Sequence, residues 1–476
     1  MPARPAAGII ADVTRPLAVL SALLVAGCSA STTQLHRGEP VEHAVVSTTS
    51  PFETDPNVVL LATEDQAVET SMAISPREPD NAVVASMGYH GGQRLPYCDA
   101  HFTRDGGKTW QRRTLELTGT DGVAYEWHSD PAIGVDANGT FYYATMLIQR
   151  SLRISMAVSR SDDGGETWTR PVNVATTDGV TVTDDKEWLA VDDTTGAFAG
   201  HVYMMWGRYY LDANGQSVNG EIVFTRSTDR GETWSEPVPM TPKSRVGMSM
   251  LAIGPNGEVY AAFNDNGRHR LRVSTDGGVT FSAPTIIPIA FGPGGRIPNY
   301  AQANFSPMQT FAVDRSSGLH RGTLYYFMPT GGRRRADNTE VSAAGMWVSH
   351  DGGETWSGPL ILSGLNDAVF PMVAVDQRTG DAVASWLDRR DDPFNELFRL
   401  YASRSSDGGR SWSEPAAFTS PFSLDRSFLG HYLWSASEHG RWMSTITDAN
   451  GKMSVVHLDF GQPRPSDPTP KRRSVR

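Results

Sequence analysis

RSTDRGETWSEP, residues 226–237, decides the fold, because near-copies of it punctuate the chain. Six copies occur: TRDGGKTW (residues 103–110), SDDGGETW (161–168), STDRGETW (227–234), STDGGVTF (274–281), SHDGGETW (349–356) and SSDGGRSW (405–412). Each follows a run of β-type residues and precedes a short extended segment, so each reads as the turn of a hairpin. The chemistry of that turn accounts for its fixed positions. An Asp carboxylate accepts backbone N–H groups across the reversal, Gly supplies the positive φ, and Ser or Thr hydroxyls add local hydrogen bonds. The Trp or Phe sets an aromatic ring between neighbouring sheets. Asp105, Asp163, Asp229, Asp276, Asp351 and Asp407 are therefore expected to hold backbone and to do no chemistry.

A second unit repeats between the boxes: an apolar strand, a Gly/Asn/Asp turn and another apolar strand, as in PAIGVDANGTFYYAT (131–145) and SMLAIGPNGEVYAAF (249–263). Seven such inner hairpins stand against six boxes, the last being the looser LWSASEHGRWMSTIT (433–447). Each hairpin supplies strands a and b of a blade, strand c runs into the box, and strand d follows its aromatic residue. The seventh hairpin has no box. The chain ends its β pattern at MSVVHLDF (453–460), and the early segment NVVLLAT (57–63) is free to supply the missing outer strand and close the ring. The expectation is an all-β β-propeller of four-stranded antiparallel blades over residues 56–460, with seven blades favoured and six the alternative.

Composition narrows the function. The chain has 476 residues with 46 Gly and 30 Pro, suited to a turn-rich β protein, and a net charge of −11 that disfavours a nucleic-acid partner. Near the N-terminus Arg15 precedes an apolar run from Leu17 to Val25, too short to span a bilayer and typical of an export signal. Val25-Ala26-Gly27-Cys28 resembles a bacterial lipobox, which implies cleavage before Cys28 and lipidation of its thiol. Residues 1–27 then read as a lipoprotein signal peptide, 28–55 as a flexible tether and 461–476 as a disordered tail. The protein is expected in the cell envelope, lipid-anchored on the outer side of a bacterial membrane, with secretion the alternative. Cys98 has no disulfide partner and reads as a buried small hydrophobe.

Alternating strand directions put the boxes and the a–b turns on one face of the propeller and the d–a and b–c connections on the other. That second face collects the unusual polar residues: Glu69; Glu126, His128 and Asp130; Asp185, Lys186 and Glu187; Tyr89 and His90; Arg208, Tyr209 and Tyr210; Asp388, Arg389 and Arg390; His431 and Tyr432. Carboxylates, guanidinium groups and phenols are expected to converge on one mouth.

The six motifs resemble the Asp box, or bacterial neuraminidase repeat, of the sialidase superfamily. LDRRDDP (387–393) and FLGHY (428–432) are similar to segments of bacterial exo-alpha-sialidase-like proteins. The resemblance implies a glycoside hydrolase acting on acidic or complex glycans. Such an enzyme uses an arginine cluster for a sugar carboxylate, a carboxylic acid for proton transfer and a Tyr nucleophile supported by a carboxylate. On that basis Asp130, Glu187, Tyr432 and Asp388 are the catalytic candidates, and Arg208, Arg389, Arg390, Tyr89, His90 and His431 the substrate-binding ones. The family places an Arg-Ile-Pro triplet before its first box; here Arg296-Ile297-Pro298 lies in a middle connection. That departure keeps open a non-catalytic glycan- or protein-binding surface propeller and, third, a polysaccharide lyase using Tyr, His and Arg. No cofactor or metal site is expected, with Ca²⁺ the open exception, because the Asp/Gly turns lack full calcium-loop spacing. A monomer with a glycan ligand is expected.

Overall fold

Phe141–Ile148 is buried at every position, as are Ala368–Val375 and Ala382–Asp388. Strands covered on both faces lose the apolar/polar alternation of a half-solvated sheet, which means that each sheet is packed between two others. The computed structural model describes residues 55, 57–61, 66–89, 96–289, 308–424 and 430–459. These residues form seven four-stranded antiparallel sheets, and no helix occurs among them.

The sheets are the blades of a propeller. Their innermost strands are Gln66–Ile74, Trp127–Val135, Val182–Val191, Val246–Ile253, Thr310–Val313, Ala368–Val375 and Ser435–Glu438, for blades one to seven. Each touches the next, and the seventh touches the first, so the ring is closed around a central axis. Val58–Leu60 pairs antiparallel with Met453–Asp459, Val59 opposite Val455, and gives blade seven its outer strand. The seven-blade expectation and the closure by both ends of the β pattern therefore hold. Asp55 adds a tie, accepting the N–H and hydroxyl of Ser420 in blade six, both at 2.7 Å.

The boxes hold backbone in the expected way. Asp105 Oδ1 accepts the N–H groups of Lys108 (3.0 Å) and Thr109 (2.9 Å) and the Thr103 hydroxyl (2.8 Å), while Oδ2 accepts the Thr109 hydroxyl at 2.6 Å. The Trp110 indole N–H returns to the Gly107 carbonyl at 3.0 Å. The second box glycine also joins blades. A Cβ on Gly353 would lie 2.2 Å from Leu271 of blade four at φ +93°, so only glycine fits.

One irregularity recurs where it matters for function. The inner strands of blades one, two, three, four and six each carry a β-bulge at the same level, between Val68 and Ser71, Ser129 and Ala132, Asp185 and Trp188, Val246 and Ser249, and Val369 and Met372. The first bulged residue is left-handed in four of them: Glu69 (φ +49°), Asp130 (+56°), Lys186 (+61°) and Phe370 (+49°). A non-glycine residue held there is strained, and bulges of this kind re-aim side chains. Here the structure corrects the sequence reading. Glu69, Asp130, Asp185, Lys186 and Glu187 lie within inner strands and not in connections, because pairing with strand b resumes beyond each bulge.

Candidate functional site: a carboxyl and lysine cluster on the axis

Lys186 of blade three reaches Glu69 of blade one and Asp130 of blade two. Its Nζ lies 3.1 and 3.3 Å from the Glu69 carboxylate oxygens and 2.6 Å from Asp130 Oδ2. Blade seven completes the set: the His431 backbone N–H donates to Glu69 Oε1 at 3.0 Å, and His431 Nδ1 lies 2.8 Å from the same oxygen. Four blades thus meet through one carboxylate, which places the cluster on the axis, at the end away from the boxes. Ser129 donates its hydroxyl to Asp130 Oδ1 at 2.6 Å. Gly430 is required beside it, since a Cβ there, at φ +75°, would lie 1.9 Å from Glu69 Cγ.

The cluster is out of water: Glu69 and Asp130 are 0% exposed, Glu187 2% and Lys186 8%. Burial opposes the charge on Lys186, but the carboxylates of Asp130, Glu69 and Asp185 outweigh it and keep the ammonium protonated. Burial alone would raise Glu69, yet Lys186 and the hydrogen bond and charge of His431 hold it well below the usual carboxylate range. Asp130 moves the other way, pushed up by burial and by the Glu69 charge. Glu187 is pushed well above its ordinary value by burial and then by Asp130, and among the described residues neither of its carboxyl oxygens has a hydrogen-bond partner. Burial also pushes Asp185 well up, against the pull of Lys186. Around one ammonium, then, one carboxyl is held ionised and others toward the neutral acid.

Tyr432 belongs to the same end. Its hydroxyl donates to the Pro131 carbonyl at 3.1 Å, and its ring meets Trp188 edge-on at 5.8 Å. Burial, followed by the charge of Glu69, keeps its phenol protonated.

Asp130, Glu187, His431 and Tyr432, singled out from sequence, are therefore brought together. The arginine candidates lie elsewhere. Arg208 is forked onto Asp184, its cross-strand neighbour in blade three, by two hydrogen bonds of 2.8 Å. Arg390 donates to Asp388 Oδ2 at 2.7 and 3.0 Å and stacks 4.4 Å from the Tyr401 ring centroid. Asp388 also accepts the Trp386 indole N–H at 2.7 Å. Arg389 is fully buried, 4.0 Å over Phe398 and 3.7 Å from Asp367. The Tyr89 side chain, His90, Cys28 and the Arg296 triplet lie outside the described residues. Glu69, Asp185 and Lys186 were absent from the candidate set. Aligning the inner hairpins in register brings Glu69, Asp130, Lys186 and Phe370 to one position, and that alignment is the signal that finds them. Among the described residues no group of three or more His, Cys, Asp or Glu is arranged to hold a metal ion.

The BNR/Asp-box repeat family model matches residues 347–357, one of the six boxes. The chain is a seven-bladed β-propeller that carries a BNR/Asp-box repeat. Curated protein sequences include no relative that matches it. Solved structures similar to this propeller include "Hadza microbial sialidase Hz136", 16% identical with a TM-score of 0.43, covering 72% of this chain and 64% of that one. Penicillium chrysogenum alpha-L-arabinanase complexed with arabinobiose is 14% identical with a TM-score of 0.45, over 85% of this chain and 99% of that chain. The NanB sialidase from Streptococcus pneumoniae is 11% identical with a TM-score of 0.43, over 87% and 71%.

Proposed function

We propose that the protein is an exported, lipid-anchored glycoside hydrolase of sialidase-like architecture that acts on acidic or complex glycans at the axial cluster. One observation carries the reading: carboxyl groups of three blades, Glu69, Asp130 and Glu187, come together at Lys186 out of water, and burial holds Glu187 toward the neutral acid while Lys186 holds Glu69 ionised. Neighbouring carboxyl groups whose acidities are pushed apart are the acid and base of such chemistry. Glycoside hydrolysis asks for both. A neutral carboxyl gives its proton to the departing glycosidic oxygen as the C–O bond breaks, and a carboxylate faces the positive charge that develops at the sugar carbon. In this assignment Glu187 is the acid and Glu69 the carboxylate. Water then adds to the sugar carbon and its proton restores the acid. Lys186 and His431 are positioning residues that keep Glu69 ionised.

The test is a panel of sialyl-, glucuronyl- and neutral aryl-glycosides with the protein lacking residues 1–28. Turnover of at least one member is expected, falling about 100-fold or more in Glu187→Gln. No turnover across the panel would move the assignment to the second reading, a non-catalytic glycan- or protein-binding propeller. That reading is favoured by the engagement of Arg208, Arg389 and Arg390 within their own blades. The lipid anchor rests on the lipobox-like Val25 to Cys28. Cys28→Ser is expected to move the protein from the membrane to the soluble fraction, and an unchanged membrane fraction would rule the anchor out.

A further inference from the structure

The other end of the axis, on the face that carries the boxes, opens into a cavity of about 340 Å³. It is walled by a–b turns of six blades, and its charged or titratable lining comes from Asp193, Arg315, Arg321, Arg378, Glu438 and His439. Part of this lining is already engaged. Arg315 pairs with Asp193 Oδ2 at 2.5 Å, and Arg321 donates to the Pro255, Arg315 and Ser316 carbonyls at 2.6, 2.8 and 3.1 Å.

The rest is left over. Asp193 Oδ1 is buried with no hydrogen-bond partner among the described residues. Among the described residues the Glu438 carboxyl, on a side chain only 10% exposed, forms one ion pair, with His439 Nε2 at 3.5 Å. Arg378 uses its backbone N–H on Asp376 at 2.9 Å, while its guanidinium makes no hydrogen bond or ion pair among the described residues. A buried carboxylate oxygen without a partner is costly, and beside an exposed, unpaired guanidinium in a cavity of this size it points to a ligand that satisfies both. The complement has two parts: hydroxyl donors for Asp193 Oδ1 and Glu438, and an anionic acceptor for Arg378. Among the described residues no Phe, Tyr or Trp lines the cavity to stack on a neutral sugar.

We propose that this mouth is a second binding site, for a small polyhydroxylated carboxylic acid of monosaccharide size such as a hexuronate. It is set at the opposite end of the axis from the carboxyl cluster and does not depend on that cluster being catalytic. The ligand carboxylate meets Arg378, and its hydroxyls meet Asp193 and Glu438. Burial and then the charges of Asp376 and Asp193, opposed by Arg315, push Glu438 up to about 7. The other charged or titratable groups here are His439, Arg321 and Arg378. A neutral Glu438 donates a hydrogen bond and repels no anion; ionised, it adds a negative charge at the mouth. Binding should therefore weaken as the pH rises through 7.

The experiment is calorimetric titration of the folded propeller with D-glucuronate, D-glucose and acetate at pH 6 and pH 8. D-Glucuronate is expected to bind saturably at pH 6, with glucose and acetate each at least about tenfold weaker. Its affinity is expected to fall about tenfold by pH 8, the loss that follows when only the neutral form of a group titrating near 7 binds. Arg378 is exposed on a turn, so Arg378→Ala should fold normally and lose at least about tenfold in affinity. Glu438→Gln should bind with little difference between the two pH values. No glucuronate binding at about 10 mM, equal binding of glucose, or an unchanged affinity in a folded Arg378→Ala protein would each overturn the site. A pH dependence that persists in Glu438→Gln would overturn the role of Glu438.

Discussion

Lys186 sits between two buried carboxyl groups from different blades, so its removal is not a surface event. Replacing one partner of a buried ion pair leaves an uncompensated charge, a loss of about 3–5 kcal/mol. Lys186→Met is therefore expected to lower unfolding stability by that amount. Glu187→Gln replaces a partnerless neutral carboxyl by an isosteric amide and should cost less than about 1 kcal/mol. Denaturant unfolding of the two proteins checks this, and equal losses would contradict the assigned protonation states. At this scale the sequence was partly legible. Residue type alone singled out Asp130, Glu187, His431 and Tyr432, but type does not show which way a side chain points. Glu69 and Lys186 reach the axis through left-handed backbone at the bulges, which residue type does not reveal and only the register of the inner hairpins brings out. The arginines show the converse. Their composition suggests a carboxylate clamp, yet Asp184 stands directly opposite Arg208 across the blade and takes both ends of its fork, a pairing visible only once register is known.

The Asp box is the element whose sequence says most, because the local hydrogen bonds that hold it are written within eight residues. Hydrogen bonds from the Thr355 hydroxyl and N–H lower Asp351 to about 2, and those from Thr280 do the same for Asp276. A carboxyl whose folded value lies below its unfolded one stabilises the fold above about pH 4 and loses that contribution as the pH falls toward 2. Asp351→Asn should therefore lower the melting temperature at pH 6, and the difference from the unsubstituted protein should shrink steadily between pH 4 and pH 2. Melting curves across that range are the check; a deficit that stays constant with pH would mean that the ionised carboxylate is not what holds the turn. The inner strands were less legible. Polar residues and Pro131 interrupt the apolar pattern there and read as connections, whereas the backbone stays in the sheet and absorbs the interruption as a bulge.

The whole molecule follows from counting. Seven hairpins against six boxes required a strand from elsewhere, and Val58–Leu60 beside Met453–Asp459 supplies it, so that the ring has no open seam. Closure leaves an axis with two chemically different ends: the carboxyl and lysine cluster at one, the arginine-lined cavity among the box-face turns at the other. The central claim concerns the first, that Glu187 gives the proton in glycoside cleavage. The most direct test is the pH dependence of kcat/KM on whichever glycoside the panel shows to be turned over. An acid raised well above the usual carboxylate range must be protonated to act, so activity should fall along a limb displaced to the alkaline side of an ordinary glutamate. In Glu187→Gln both the rate and that limb should be lost, with the fold intact. Turnover whose rate and alkaline limb survive the substitution would contradict the account.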